Sequence, residues 1–152
     1  MVFFIFGATN MVEFKQFADG SFGLQGDSIG GQGEFIPVTT AYSAASSTQS
    51  IFTASRNYIV KDISGRVDVS GTGGACTISV YSAPSGTALS AGTLLHSGSF
   101  NVAGTVNTKQ TLTLSATASS LIIPAGSTIG FIVTGVATSA IGSLSLALSP
   151  AN

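Results

Sequence analysis

The feature that most constrains this chain is the period of its apolar residues. From Val38 onward they recur at every second position, the spacing of a half-buried strand, and no stretch carries the pattern of a long amphipathic helix. In "RNYIVKDISGRVDVS" Ile59, Ile63, Val67 and Val69 share one face while Asp62, Arg66 and Asp68 take the other, with Lys61 as the single misfit. The pattern returns in "ACTISVY" through Ile78 and Val80, in "TLLHSGSFNV" through Leu94, Phe100 and Val102, in "KQTLTLS" through Leu112 and Leu114, and in "GSLSLALS" through Leu144, Leu146 and Leu148. Ala83-Pro84-Ser85-Gly86 and Pro124-Ala125-Gly126 supply turns between them. Short strands spaced by roughly ten residues predict an all-β, antiparallel β-sandwich or jelly-roll-like domain, because a second sheet must cover the apolar face of the first.

One strand asks for more. "IGFIVTG" places Ile129, Phe131 and Val133 on one face, but Ile132, and Val136 just beyond it, fall on or near the other. Such a strand needs cover on both sides. Either a loop or an arm supplies it, or Ile132 and Val136 belong to a subunit interface.

The first 37 residues are different in kind. Seven of the ten Phe fall at or before Phe35, together with Glu13, Lys15, Asp19, Asp27 and Glu34, and the composition changes near Pro37. "EFKQFADGSFGLQG" predicts a short hairpin around Ala18-Asp19-Gly20-Ser21, since Asp-Gly supplies the left-handed backbone that tight hairpins need. "GDSIGGQGEF" has too few large side chains for a core. Residues 1–37 therefore read as an arm in search of a partner surface and residues 38–152 as the sandwich domain. Phe3, Phe4, Phe14, Phe17, Phe22 and Phe35 are its candidate contacts, because aromatic side chains dominate protein interfaces. The alternative is that Phe14, Phe17, Phe22 and Phe35 cap an open end of the same sandwich.

Charge narrows the partners. After Asp68 the chain has one more charged residue, Lys109, and charged residues make up 7% of the whole, against about 25% in ordinary soluble proteins. A net charge of -1 offers neither a phosphate-seeking field nor a polybasic patch, which argues against nucleic acid and anionic membrane as partners. A charge near zero favours association. The lone Cys76 excludes an internal disulfide framework and reads as a small buried hydrophobe, in keeping with assembly in a reducing cytoplasm. "MVFFIFGATN" lacks a basic flank and is too short for a signal h-region or a membrane span, and "MVEFKQFADGS" reads like a second beginning at Met11.

Catalytic patterns are sparse. "GDSIG" matches G-x-S-x-G, and Ser28, Asp62 or Asp68, and His96 follow the chain order of an α/β-hydrolase triad. That elbow needs a helix after it, and "GQGEFIP" has no helix potential, so a glycine-rich loop is expected. The letters also resemble the first block of the GDSL esterases, yet Thr93 stands where their later Asp-x-x-His block has Asp. His96, the sole histidine, has no Cys beside it for a zinc site; alternation puts it on the face of Leu94, Phe100 and Val102, as a core-margin group or a subunit-interface residue. Asp62 and Asp68 sit among Lys61 and Arg66, where cross-strand pairing or a solvated face is the default. "GTGG" at 71–74 lacks the Lys of a phosphate loop and reads as a hairpin turn. No cofactor or metal is expected.

The stretch from Ile51 to Gly135, with "APSGTALSAGTLLHSGSFN", "NTKQTLTLSATA" and "IPAGSTIGF" as its recognisable elements, resembles a domain that recurs in structural proteins of tailed bacteriophages, especially head decoration (cement) proteins. The likeness extends over roughly residues 48–149. It implies a β-sandwich, commonly a trimer, on the outer capsid surface of a virion assembled in a bacterial cytoplasm, tying major capsid protein subunits together without chemistry. The "MVFFIF" start departs from that pattern. A second expectation is an adhesive or glycan-binding module of a phage particle; it lacks Trp altogether, and Tyr42, Tyr58 and Tyr81 form no obvious platform. A third, an esterase on Ser28 and His96, would show ester hydrolysis that disappears in Ser28→Ala.

Overall fold

The computed structural model describes residues 4–7, 10–16, 22–25, 36–43, 48–135 and 138–151, with side-chain burial described from Ile36 onward. The chain falls into two units, Met1–Glu34 and Phe35–Asn152. In the first, β1 (Phe4–Gly7), β2 (Asn10–Gln16) and β3 (Phe22–Gln25) form an antiparallel sheet in that order, with Phe14 opposite Leu24 and Phe4 opposite Glu13. β2 and β3 are the hairpin strands expected from "EFKQF" and "FGLQ"; the turn residues 17–21 lie outside the described residues. β1 was not foreseen.

The second unit contains β4 (Ile36–Ser43), β5 (Thr48–Thr53), β6 (Tyr58–Val69), β7 (Cys76–Ala83), β8 (Thr93–Leu94), β9 (His96–Ser97), β10 (Phe100–Asn101), β11 (Lys109–Thr111), β12 (Thr113–Leu114), β13 (Ile122–Ile123), β14 (Thr128–Gly135) and β15 (Ile141–Pro150). Sheet I has the order β10-β7-β14-β5 with β8 also on β7; sheet II has the order β11-β6-β15-β4 with β13 also on β6; β9 and β12 pair with each other. All pairings are antiparallel. With the short strands β8–β10 taken as one run and β11–β13 as another, eight runs alternate between the sheets at every step but the one from the fourth to the fifth, the winding of a jelly-roll-like sandwich. Two-sheet burial follows from the alternation read in the sequence.

The core confirms most of that alternation. Ile78, Val80, Ile129, Phe131 and Val133 of sheet I meet Ile63, Val67, Leu144, Leu146 and Leu148 of sheet II, with Cys76 buried among them as a free thiol. Fully burying one such side chain contributes about 1.5–3 kcal/mol. Phe100 of β10 stands edge-on to Tyr42 of β4, ring centroids 5.7 Å apart, and lies over Gly65 of β6, where an added Cβ would come within 2.5 Å of its ring. Only glycine leaves room for that ring.

β6 corrects the sequence in an instructive way. Its pairing with β15 slips twice, once beside Ala147 and Leu148 and again beside Ile141 and Gly142, so that Lys61 and Asp68 have no opposite residue. Each slip is a β-bulge, and each reverses the parity of the strand. Tyr58 and Val60 therefore enter the core before the first bulge in place of Ile59, and Val69 emerges to 45% exposure beyond the second. Lys61, the misfit, is the bulged residue. A second correction concerns "TLLHSGSFNV": Leu94 is exposed and Leu95 is buried, because the segment is three two-residue strands rather than one continuous strand. A third concerns "GTGG", which joins β6 in sheet II to β7 in sheet I and is thus a crossover, not a hairpin; Thr72 within it bridges Thr138, their N–H groups donating to each other's carbonyls at 3.2 and 2.8 Å. Both predicted turns form: the Thr87 N–H donates to Pro84 (3.0 Å) and the Ser127 N–H to Pro124 (3.1 Å), with Gly86 and Gly126 each at φ +82°.

Candidate assembly surfaces

Register and alternation decide what each sheet shows to the outside. Since Ile129, Phe131 and Val133 point inward, β14 presents Thr128, Gly130, Ile132 and Thr134 outward; their neighbours on β7 are Ala83, Tyr81, Ser79 and Thr77. Thr53, Ser50 and Thr48 of β5 continue three of these rows, Leu94 of β8 extends the Ser50–Gly130–Tyr81 row on its far side, and Asn101 of β10 sits beside Thr77. No residue of this face is charged. The loop between β7 and β8 folds back over one end of it. Leu89, in a 3-10 turn at Leu89–Ala91, is buried against Gly130, and Gly92 packs against Ala83. A Cβ on residue 130 would collide with the Leu89 side chain and with the Gln49 carbonyl oxygen, which accounts for a glycine in the middle of a central strand. Part of the cover requested by this two-sided strand is therefore a loop. Ile132 stays half-buried outside that cover, and Val136 lies outside the described residues.

The outer face of sheet II carries the charges. Arg66 Nε lies 2.8 Å from Asp68 Oδ1, Arg66 Nη2 donates to Asn107 Oδ1 at 2.7 Å, and Lys109 Nζ lies 3.9 Å from Asp62 Oδ2 across the β11–β6 pair. Asp62 pairs across strands as the default reading had it, whereas Asp68 pairs with Arg66 along its own strand. Ser64, Gly65, Arg66, Lys109, Ser143 and Ser145 line a shallow depression of about 310 Å³ on this face. Its two cations, Arg66 and Lys109, are already paired with Asp68 and Asp62 beside it.

The edges differ as well. On one side the short strands β8, β10, β11 and β13 flank the sheets, and the β9–β12 pair links them. On the other, β4 and β5 are longer edge strands with no charged residue, held side by side where Gln49 Nε2 donates to Thr40 Oγ1 at 3.2 Å. Uncharged edge strands are templates for further pairing. At one end of the sandwich Val69 and Ile141, directly paired across the sheet, are 45% and 50% exposed, and Val106 adjoins the Asn107 N–H that donates to the Val67 carbonyl at 2.7 Å.

His96 is buried, and its Nε2 accepts the Val80 N–H at 2.9 Å while Nδ1 has no hydrogen-bond partner. Burial holds the imidazole below its ordinary pKa, the backbone of Ser97 and Gly98 acting weakly in the other direction. Tyr42 has its phenol pushed up to about 12, first by burial and then by the charges of Asp68 and Cys76; its hydroxyl donates to the Arg66 carbonyl at 3.2 Å. Among the described residues no three His, Cys, Asp or Glu side chains gather as a metal site, and no helix is long and apolar enough to cross a membrane. Ser28, the other member of the esterase expectation on His96, lies outside the described residues. Phe3, Phe17 and Phe35 likewise lie outside them, while Phe4, Phe14 and Phe22 fall on β1, β2 and β3, with their side chains outside the description. The segregation of charge by sheet was not visible in the sequence, although the lack of charge after Lys109 was its signal.

No family model matches the chain, and no curated protein matches it. Among solved structures it is similar to a chain from the capsid of Ralstonia phage GP4, with 17% identity and a TM-score of 0.55 over 80% of this chain and 86% of that one. It also matches a chain of the cyanophage Pam1 capsid asymmetric unit, with 18% identity and a TM-score of 0.49 over 82% of this chain and 89% of that one. At these identities the likeness is one of fold.

Proposed function

We propose that this chain is a structural protein of a phage virion, a decoration or cement protein that sits on the outer capsid surface and bridges major capsid protein subunits. The observation that carries this reading is the outer face of sheet I. A broad sheet surface made of Thr, Ser, Tyr and Ile without one formal charge loses no ionic solvation when it is covered, whereas a free-standing soluble sheet gains from charge. The fold likeness to a phage capsid chain supports the same class of role. In this reading copies associate, as a trimer, through that face with Ile132 at its centre, and the Phe-rich arm, residues 1–37, docks on the shell. Several weak contacts in one oligomer then act together. No step of chemistry is required of the chain, which is accordingly not an enzyme.

A glycan-binding reading is less favoured because, of the three tyrosines, Tyr42 and Tyr58 are buried in the core and only Tyr81 is on an outer face. The test is to remove residues 1–34, a cut that spares Ile36 and Pro37 with their partners Leu148 and Ala147 on β15. Light scattering on the truncated chain and imaging after mixing with bare capsids are the readouts. The expected result is a folded oligomer that no longer attaches. Full occupancy of the shell by the truncated chain would end the arm's role, and a monomer with the full-length chain would end the proposed association.

A further inference from the structure

Residues 93–101 accompany β7 only at their two ends, where Leu94 and Thr93 pair with Tyr81 and Ser82, and Phe100 and Asn101 pair with Ile78 and Thr77. Between those points the chain leaves β7 to pair with β12, His96 opposite Leu114 and Ser97 opposite Thr113. The excursion takes the strand partner away from the backbone of Val80. Two groups make good the loss: the Leu95 N–H donates to the Val80 carbonyl at 3.0 Å, and His96 Nε2 accepts the Val80 N–H at 2.9 Å. An imidazole stands where a strand carbonyl would.

That substitution has a titratable weak point. Because Nε2 accepts, Nδ1 carries the proton, and this buried N–H meets no acceptor in hydrogen-bond geometry, the backbone of Ser97 and Gly98 favouring the charged ring but by less than burial opposes it. A second proton, arriving at Nε2, would set donor against donor at a residue only 3% exposed. We propose that His96 is an acid-sensitive latch: its protonation breaks the bond from Val80 and frees residues 95–99 from β7, opening one edge of sheet I while the paired cores of the two sheets stay folded. No charge nearby compensates. β7 carries only Cys76 and Tyr81 as titratable groups, Tyr81 on the outer face; β12 and the rest of the 93–101 segment carry none; and β6, which packs against β12, has Tyr58 inward and its charged Lys61, Asp62, Arg66 and Asp68 at bulged or outward positions. The released imidazole binds a proton more readily than the latched one, so the latch is fully closed above the free value of about 6.5 and loosens as pH falls below it.

Amide exchange on the full-length chain tests this. Expressed as protection factors, which remove the intrinsic pH dependence of exchange, the Val80 amide should lose protection between pH 7.5 and 5.0 by up to about thirtyfold, the limit set by a free imidazole near 6.5. The Leu146 amide of β15 should hold. In His96→Gln, whose side-chain oxygen accepts without titrating, the Val80 loss should vanish. Unchanged Val80 protection in the parent chain, or parallel losses at Val80 and Leu146, would overturn the latch. Should the variant not fold, proton NMR titration of the parent imidazole decides alone: a midpoint well below 6.5 supports the latch, and one at or above it sinks it.

Discussion

The two outer faces of the sandwich are built from strands of similar length and the same alternation, yet they have opposite surface chemistry. On sheet II, Asp62, Arg66, Asp68 and Lys109 form pairs that keep water and ions close, and the small side chains of Ser143 and Ser145 leave a depression between them. On sheet I, rows of Thr and Ser surround Ile132 and Tyr81, and a loop already covers one end. The difference teaches where covering costs least. Burying the first face would strip solvation from four charges, and burying the second would strip it only from hydroxyls, which can exchange hydrogen bonds with a partner.

The largest expected effect breaks this comparison most directly. Ile132→Lys places a charge at the centre of the uncharged face, where symmetric copies would bring like charges together, a cost of several kcal/mol in association. Ser145→Lys is the matched change on sheet II. Sedimentation or light scattering should show the first variant dissociated, with its melting transition little changed, and the second assembled like the parent. Equal behaviour of the two would erase the functional distinction between the faces.

Next in size is Leu89→Ala. Leu89 is the part of the β7–β8 loop that shields Gly130, so truncating it should cost about 2–3 kcal/mol, the lower part of the range for buried Leu→Ala. Urea denaturation measures it. A cost below about 0.5 kcal/mol, the range of ordinary surface changes, would mean that the loop rests on sheet I without stabilising it.

How far the sequence could have anticipated these surfaces depends on where its period holds. Leu144, Leu146 and Leu148 alternate through β15, which pairs with β4 without a slip and leaves both extra residues of its other ladder on β6, and all three are in the core as read. In β6 the reading failed at Ile59 and Val69 because a bulge is a property of pairing with β15, and the partner's register is not written in β6 itself. Lys61 was the one local sign. His96 was assigned to a core margin or an interface from its neighbours, but its bond to Val80 depends on a gap in a ladder between segments sixteen residues apart, which no local pattern reports. Ile132 was legible as an outward apolar residue, whereas the loop that covers the adjacent Gly130 was not, since Leu89 lies in a turn with no period.

A smaller effect links the charged face to the core beneath it. Tyr42 has its pKa raised above the free value of about 10, so its neutral form is the one the fold prefers. Its contribution is fully present below pH 10 and is lost as pH rises from there toward about 12. Tyr42→Phe should flatten the decline in stability over that alkaline window, and Asp68→Asn, which removes the second-ranked cause, should move the phenol's titration downward while leaving sheet I unaffected. Ultraviolet titration of tyrosinate follows both; an unshifted Tyr42 in Asp68→Asn would show that the sheet II charges do not reach through it.

The smallest effect concerns the ion pairs themselves. Lys109 and Asp62 are 65% and 40% exposed and 3.9 Å apart, and exposed pairs contribute about 0–1 kcal/mol because water and salt screen them. Asp62→Asn, Lys109→Gln and the double variant, compared by urea denaturation at low and high salt, should yield a coupling energy below about 1 kcal/mol that shrinks with salt. Assembly should not change in any of the three. That second result is the decisive one: if these charges serve only to keep sheet II wet, neutralising one pair leaves Arg66 and Asp68 to do the same, and a variant that gains higher oligomers would show that the pair had been holding a second face apart.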